Sequence, residues 1–164
     1  LGEGKYTGEK YRCWSIKCFP LITQKNKWGV YMKKILMLGG AQTQVPAIKA
    51  AKELGAYVIV TDYLEDNPGQ HFAHESYSVS TTDKEGVLAL AKSLEIDGIV
   101  SYASDYGAPT AAYVAEKLGL PTSPYKSVEI LTRKDLFKAF LKENNFKVPK
   151  AKGYNSFEEA KADI

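Results

Sequence analysis

Three short stretches carry residue types that could hold a small polar molecule. Gly39-Gly40 follows the apolar run Ile35 to Leu38, and two successive glycines let backbone come close to whatever sits above them. Asp62 ends a second apolar run, Tyr57 to Thr61. Ser104-Asp105 lies within SYASDYG, which leaves a third run, Ile99 to Tyr102. Such groups suit recognition by hydrogen bonds more than covalent chemistry. No G-x-S-x-G elbow occurs, and two His and two Cys exclude most nucleophile–base pairs. His71 and His74 stand three apart, a spacing that could share a helical face, but no third metal ligand is nearby.

The elements that position these residues begin with residues 33–62. KKILMLGG, AQTQVPAIKAAKELGA and YVIVTD read as strand, glycine turn, helix and strand. Unbroken apolar runs mark strands buried on both faces. From Thr43 to Leu54 the period is helical: Val45, Ile48, Ala51 and Leu54 share a face, while Lys49, Lys52 and Glu53 point outward. Gly55 suits a left-handed stop. This βαβ unit predicts an α/β fold, a parallel sheet with right-handed crossovers and helices on both faces. Ligands in such sheets gather at the carboxyl ends of the strands, here Gly39-Gly40, Asp62 and residues 101–105.

Further along, Asn67-Pro68-Gly69 is a turn and Ser76 to Ser80 alternates like a third strand. Thr82-Asp83-Lys84-Glu85 reads as a capping box opening a helix over Val87, Leu88, Ala91 and Leu94. Asp105 is a candidate cap for the helix holding Pro109, Val114 and Leu118, with Gly119 as its stop. Leu120-Pro121-Thr122 is a fifth, short extended segment. A short helix then runs to about Leu131. Thr132-Arg133-Lys134-Asp135 caps another, with Leu136, Phe137, Phe140 and Leu141 on its apolar face.

Charge is unevenly spread. Residues 1–31 hold six basic and two acidic residues, so the remaining 133 hold 22 − 6 = 16 basic and 19 − 2 = 17 acidic. The globular part therefore has no basic excess to suggest nucleic acid as a partner. No apolar run approaches the roughly 20 residues of a membrane helix. With no export signal, the cytoplasm is the default location. Cys13 and Cys18 leave a disulfide or half a zinc site open in the leader. The first residue is Leu1, while Met32 stands where a natural start would be. Ser156-Phe157-Glu158-Glu159 matches a capping box, yet the chain ends at Ile164 about two turns later. The expectation is a piece of a longer protein, with residues 1–31 a poorly ordered leader that need not be native.

Several nucleotide motifs are excluded. The turn Gly39-Gly40-Ala41-Gln42-Thr43-Gln44 lacks the G-x-G-x-x-G fingerprint, and Asp62 alone is a weak dinucleotide signal. No G-x-x-x-x-G-K-[ST] occurs. A receiver domain would need an acidic pair where Gly39-Gly40 stands.

GLPTSPYKSVEILTRKDLFKAFLKENNFKVPKA, residues 119–151, resembles the junction of ATP-grasp ligases, in which a Rossmann-like first domain ends in "GLP" and a lysine-bearing helix start follows. Lys134, Phe137, Leu141, Val148 and Pro149 match that pattern. ILMLGGAQTQ, residues 62–75 and SYASDYGAPTAAYVAEKLGLP look like the first domain of the same family, which includes biotin carboxylase, carbamoyl-phosphate synthase and carboxylate–amine ligases. The resemblance implies a Rossmann-like domain over residues 32–122 and the truncated start of an ATP-grasp domain over 123–164. It implies ATP and Mg²⁺ as cofactors, with the metal ligands beyond Ile164. Its partners would be a small-molecule carboxylate and a nucleophile, and it leaves room for a homodimer. Lys134 matches the family's first ATP-phosphate lysine. Gly39, Gly40, Gln42, Asp62, Ser104 and Asp105 fall where family members hold the non-nucleotide substrate. The fragment alone would be inactive. The alternative is a stand-alone Rossmann-like module that binds a nucleotide or metabolite.

Overall fold

The computed structural model describes residues 24–25, 31–149 and 153–163. Most of the leader, with Cys13 and Cys18, lies outside the described residues. From it come only β1 (Gln24–Lys25) and Tyr31, which begins β2 (Tyr31–Met32). These pair antiparallel, Gln24 opposite Met32, as a two-stranded sheet of their own.

The main sheet has four strands, β3 (Lys34–Leu38), β4 (Tyr57–Thr61), β5 (Glu75–Tyr77) and β6 (Gly98–Ser101), in the order β5-β4-β3-β6. Every pairing is parallel. Leu38 stands opposite both Thr61 and Ser101, and Thr61 opposite Tyr77, so all four strands finish at one level. Side chains alternate between faces. Leu36, Leu38 and Ile59 meet α2 (Lys84–Leu94) and α3 (Ala108–Leu118) through Val87, Leu88, Ala91 and Val114. Met37, Val58 and Val60 meet Ile48 of α1 (Val45–Glu53) on the other face. Each such side chain taken from water contributes roughly 1.5–3 kcal/mol. This all-parallel α/β arrangement with helices on both faces is the expected one.

Several local expectations need correction. α1 begins at Val45 rather than Thr43, because Ala41 to Gln44 close a turn through Gln44 N–H to the Ala41 carbonyl at 2.9 Å. Leu54 leaves the apolar face and is 89% exposed, since it caps the helix where the chain reverses at Gly55. The cap of α2 is Asp83, not Thr82: its carboxylate accepts from Gly86 N–H at 3.0 Å. Asp105 does not cap α3. Gly107 holds that position with no side-chain cap, and Ser104 Oγ accepts from its N–H at 3.4 Å. Residues 120–124 join no sheet; they lead into α4 (Tyr125–Thr132) and α5 (Lys134–Glu143). In α6 (Phe157–Ala162) the capping box forms as expected, Ser156 Oγ accepting from Glu159 N–H at 3.2 Å.

Candidate functional site at the strand ends

The strand order sets where a crevice opens. β3 to β4 to β5 steps one way, then the chain crosses back to place β6 on the other side of β3. The crevice outside the carboxyl ends of β3 and β6 is the switch point of the sheet, where α/β folds bind ligands. Gly39 to Gln44 and residues 102–107 form its two walls, and the loop after β4 flanks it.

Gly39 adopts φ +101°, a conformation a side-chain-bearing residue rarely takes, and its N–H donates to the Thr61 carbonyl at 2.9 Å. Gly40 N–H donates to Asp62 Oδ2 at 2.9 Å, and Leu64 N–H donates to Asp62 Oδ1 at 3.1 Å. Asp62 is thus buried and ties the β3 turn to the β4 turn with both oxygens. The Gly40 carbonyl accepts from Gly69 N–H at 2.6 Å. A Cβ on Gly69 would stand 2.7 Å from that carbonyl and from Ile48 Cδ1, so the 3-10 turn Pro68–Phe72 docks there only through a glycine. On the β6 side, Ser101 Oγ donates to the Ser104 carbonyl at 3.0 Å. A Cβ on Gly107 would lie 2.7 Å from Ser101 Oγ.

Gly39, Gly40, Asp62, Ser104 and Asp105 therefore gather at one end of the sheet, in the roles just described, with Asp105 exposed. Gln42 is exposed in the turn beside them. Lys134 stands apart, as the first residue of α5. Sequence reasoning missed Gln44. It is 95% buried at the head of α1, and its Nε2 donates to the Tyr102 carbonyl at 3.0 Å, bridging the crevice from β3 to β6. Its Oε1 is buried with no partner among the described residues. The available signal was a glutamine just before a helix, at the cap position where Ser, Thr, Asp or Asn would ordinarily stand.

The two histidines do not share a metal. His71 Nε2 lies 3.2 Å from Asp66, whereas His74 Nδ1 accepts from Val58 N–H at 2.9 Å and its ring stacks on Tyr57. Among the described residues no three His, Cys, Asp or Glu gather as a metal site.

Comparison with known proteins shows what the chain is similar to. Residues 48–122 match the ATP-grasp N-terminal domain. Over those residues the chain is similar to that domain. It is 30% identical over 125 residues to the formate-dependent phosphoribosylglycinamide formyltransferase of Actinobacillus pleuropneumoniae, covering 60% of this chain and 32% of the relative. Phosphoribosylglycinamide synthetase from Anaerococcus prevotii superposes with TM-score 0.67 at 25% identity, over 79% of this chain and 33% of that one. An ADP complex of N5-carboxyaminoimidazole synthetase from Staphylococcus aureus superposes with TM-score 0.61 at 26% identity, over 79% and 34%. The chain thus spans about a third of the length of these ATP-grasp enzymes. Among its described residues no helix is long and apolar enough to cross a membrane.

Proposed function

We propose that this chain is the N-terminal part of an ATP-dependent ligase, with its strand-end crevice holding the non-nucleotide substrate. In the reaction a carboxylate attacks the γ-phosphorus of ATP, ADP leaves, and an acyl phosphate forms. An amine or other nucleophile then attacks the acyl carbon and phosphate departs. Gly39, Gly40, Gln42, Asp62, Ser104 and Asp105 are the substrate-side residues, and Lys134 is the residue for an ATP phosphate.

The observation that carries the ATP assignment is the start of α5. Arg133 precedes the helix without a side-chain cap, and the Asp135 carboxylate, one residue past Lys134, faces the Asp135 and Leu136 N–H groups of the first turn. Arg133 is engaged by Asp135, its guanidinium donating at 2.6 and 3.2 Å and holding that carboxyl below the usual range. Lys134, between them, is exposed and makes no hydrogen bond or ion pair among the described residues. An exposed ammonium at a helix N-terminus suits a phosphate. The S. aureus relative with bound ADP supports a nucleotide in the same family.

The test uses the longer gene product, assayed for ADP formation. Lys134→Ala is expected to lower ATP use roughly 10- to 150-fold, the effect of losing a charge-assisted contact worth about 1.5–3 kcal/mol. Arg133→Ala should change it less, and both should melt like wild type. Equal ATP kinetics for wild type and Lys134→Ala would return Lys134 to a solvated surface residue.

A further inference from the structure

Among the described residues, Glu95, Ala103 and Asn145 take positive φ without being glycine. Glu95 caps the end of α2 and Asn145 lies just past the cap of α5, where a left-handed residue closes a helix. Ala103, at φ 51°, closes no helix; it lies in the loop after β6. We propose that Gln44 is a positioning residue: it holds the Tyr102–Ala103 peptide in this strained orientation and so keeps the Ala103 N–H facing the crevice, as a donor to an acceptor oxygen of the substrate. This rests on the reading that the crevice holds the non-nucleotide substrate.

Backbone strain is the first ground. Positive φ drives the Cβ of an L residue toward its own backbone, and alanine lacks the polar side chain by which Asn or Asp compensates. A contact from outside the residue must therefore hold Ala103. The far part of the loop is pinned by itself: Ser101 Oγ donates to the Ser104 carbonyl at 3.0 Å, and Ser104 Oγ accepts from Gly107 N–H at 3.4 Å. The near part is reached from another element, by Gln44 Nε2 donating to the Tyr102 carbonyl at 3.0 Å. That carbonyl belongs to the peptide that enters Ala103, so this bond bears on its φ.

The direction of the peptide is the second ground. It is trans, and a planar trans peptide points its C=O and N–H to opposite sides. The Tyr102 carbonyl is aimed inward, at a glutamine that is 95% buried. The Ala103 N–H therefore points outward from the crevice wall, where Ala103 is exposed, and it donates to no group among the described residues. Turning this peptide over would bring φ of Ala103 back to a negative value. It would also replace the donor on the wall by an acceptor. The Gln44 bond thus decides which kind of substrate atom the wall can meet.

Gln44 itself is the third ground. Its amide packs against the β3 turn, with Cδ 3.4 Å from where a Cβ on Gly39 would stand. A residue kept for packing alone would need no amide there. Methionine has similar length and would fill the space without leaving a buried acceptor unpaired, as Oε1 is left here. Two unfavourable features, an orphaned acceptor and a left-handed alanine, meet at one hydrogen bond. Strain gathered in this way at a candidate site points to function rather than to stability.

The Cα and Cβ chemical shifts of Ala103 report the sign of its φ and supply the first test. In Gln44→Met the left-handed signature should be lost, the resonances of Ser104 to Gly107 should stay in place, and the protein should melt at or above the wild-type temperature. A left-handed Ala103 in Gln44→Met would overturn the proposal, whatever the melt. Ala103→Val approaches the same bond from an exposed position, because valine does not tolerate positive φ. It should speed hydrogen exchange of the Gln44 side-chain amide, and unchanged exchange would also overturn the proposal. In the longer gene product, Gln44→Met should lower ADP formation at saturating ATP about tenfold, with the KM for ATP unchanged. Adding Ala103→Gly should restore the rate to within about threefold, because glycine takes positive φ without the clamp. No recovery, or a raised KM for ATP, would overturn the role in the crevice. Absence of ADP formation by the unchanged longer protein would remove the ligase reading, and the Ala103 shifts would still decide what Gln44 holds.

Discussion

His74 shows how a single side chain far from the crevice couples the fold to pH. It sits before β5 at the opposite, amino end of the sheet, where its Nδ1 accepts from Val58 N–H and its ring stacks on Tyr57 at 4.6 Å. The accepting nitrogen must be unprotonated. Partial burial, then the nearby Lys52 charge, lower the His74 pKa below its ordinary 6.5. The unfolded chain therefore binds a proton at higher pH than the folded one. Stability from this residue is complete above about 6.5 and is lost as pH falls from there through the depressed value. Glu75 acts in a separate, lower window. It accepts from the Tyr57 and Tyr77 hydroxyls at 2.6 and 2.8 Å, which lower its own pKa and push Tyr57 up to about 12. Its contribution is lost only below the ordinary carboxylate value of 4.5. Melting temperature should thus fall between pH 6.5 and 5 more steeply in wild type than in His74→Gln, which keeps a polar side chain but cannot titrate. Parallel curves for the two proteins over that range would show that His74 does not titrate with folding.

Helix endings show what local sequence could and could not say. α1, α2, α3 and α5 all close the same way. A residue at the cap, in α2 and α3, or just past it, in α1 and α5, turns left-handed, and its N–H, with the next one, returns to carbonyls of the last turn: Gly55 and Ala56, Glu95 and Ile96, Gly119 and Leu120, Asn145 and Phe146. Gly55 and Gly119 were legible because glycine advertises that conformation. Glu95, at φ 50°, was not, since nothing in a glutamate marks a left-handed turn; burial of Ile96 and Ala91 beneath it imposes the conformation. Replacing Glu95 by Gly should relieve that strain and stabilise the chain by about 0.5–1 kcal/mol after the entropy cost of a glycine in the unfolded state. Urea denaturation measures it, and a loss of stability would mean the Glu95 side chain contributes more than its backbone strain costs. The same logic divides the site. Gly39-Gly40 and Asp62 could be read because their strands are unbroken apolar runs whose ends are plain. Gln44 could not be, because its importance comes from β6 reaching across to it with the Tyr102 carbonyl, a contact 58 residues away in sequence.

At the scale of the molecule, burial is deepest in the two central strands and the helices packed on them. β3 and β4 hold Leu36, Val58 and Val60 at zero exposure, and α3 still buries Thr110, Ala112, Val114 and Ala115. α4, α5 and α6 bury no residue completely. α4 is nonetheless fastened to the sheet-bearing part by polar contacts: Lys84 Nζ donates to Tyr125 Oη and lies over that ring at 4.7 Å, while Tyr125 N–H donates to Glu116 at 2.9 Å and its hydroxyl to Glu129 at 2.9 Å. α5 packs chiefly on α4, with Phe140 still 42% exposed on its apolar face. Opening free energies follow how much packing must be given up. Native-state amide exchange should therefore rank β3 and β4 slowest, α3 next, then α4, with α5 fastest of the four. Lys84→Met removes the ammonium while keeping an apolar stem against Tyr113 and Tyr125. It should speed exchange in α4 and, through it, in α5, and leave β3 and β4 unchanged. The consequence reaches the proposed chemistry, because Lys134 heads α5 and can meet a phosphate repeatedly in one place only if α4 is held. If α5 amides exchanged as slowly as those of Leu36, or if Lys84→Met slowed or accelerated all elements alike, α5 would be an integral part of the core and Lys84 would have no selective role in positioning it.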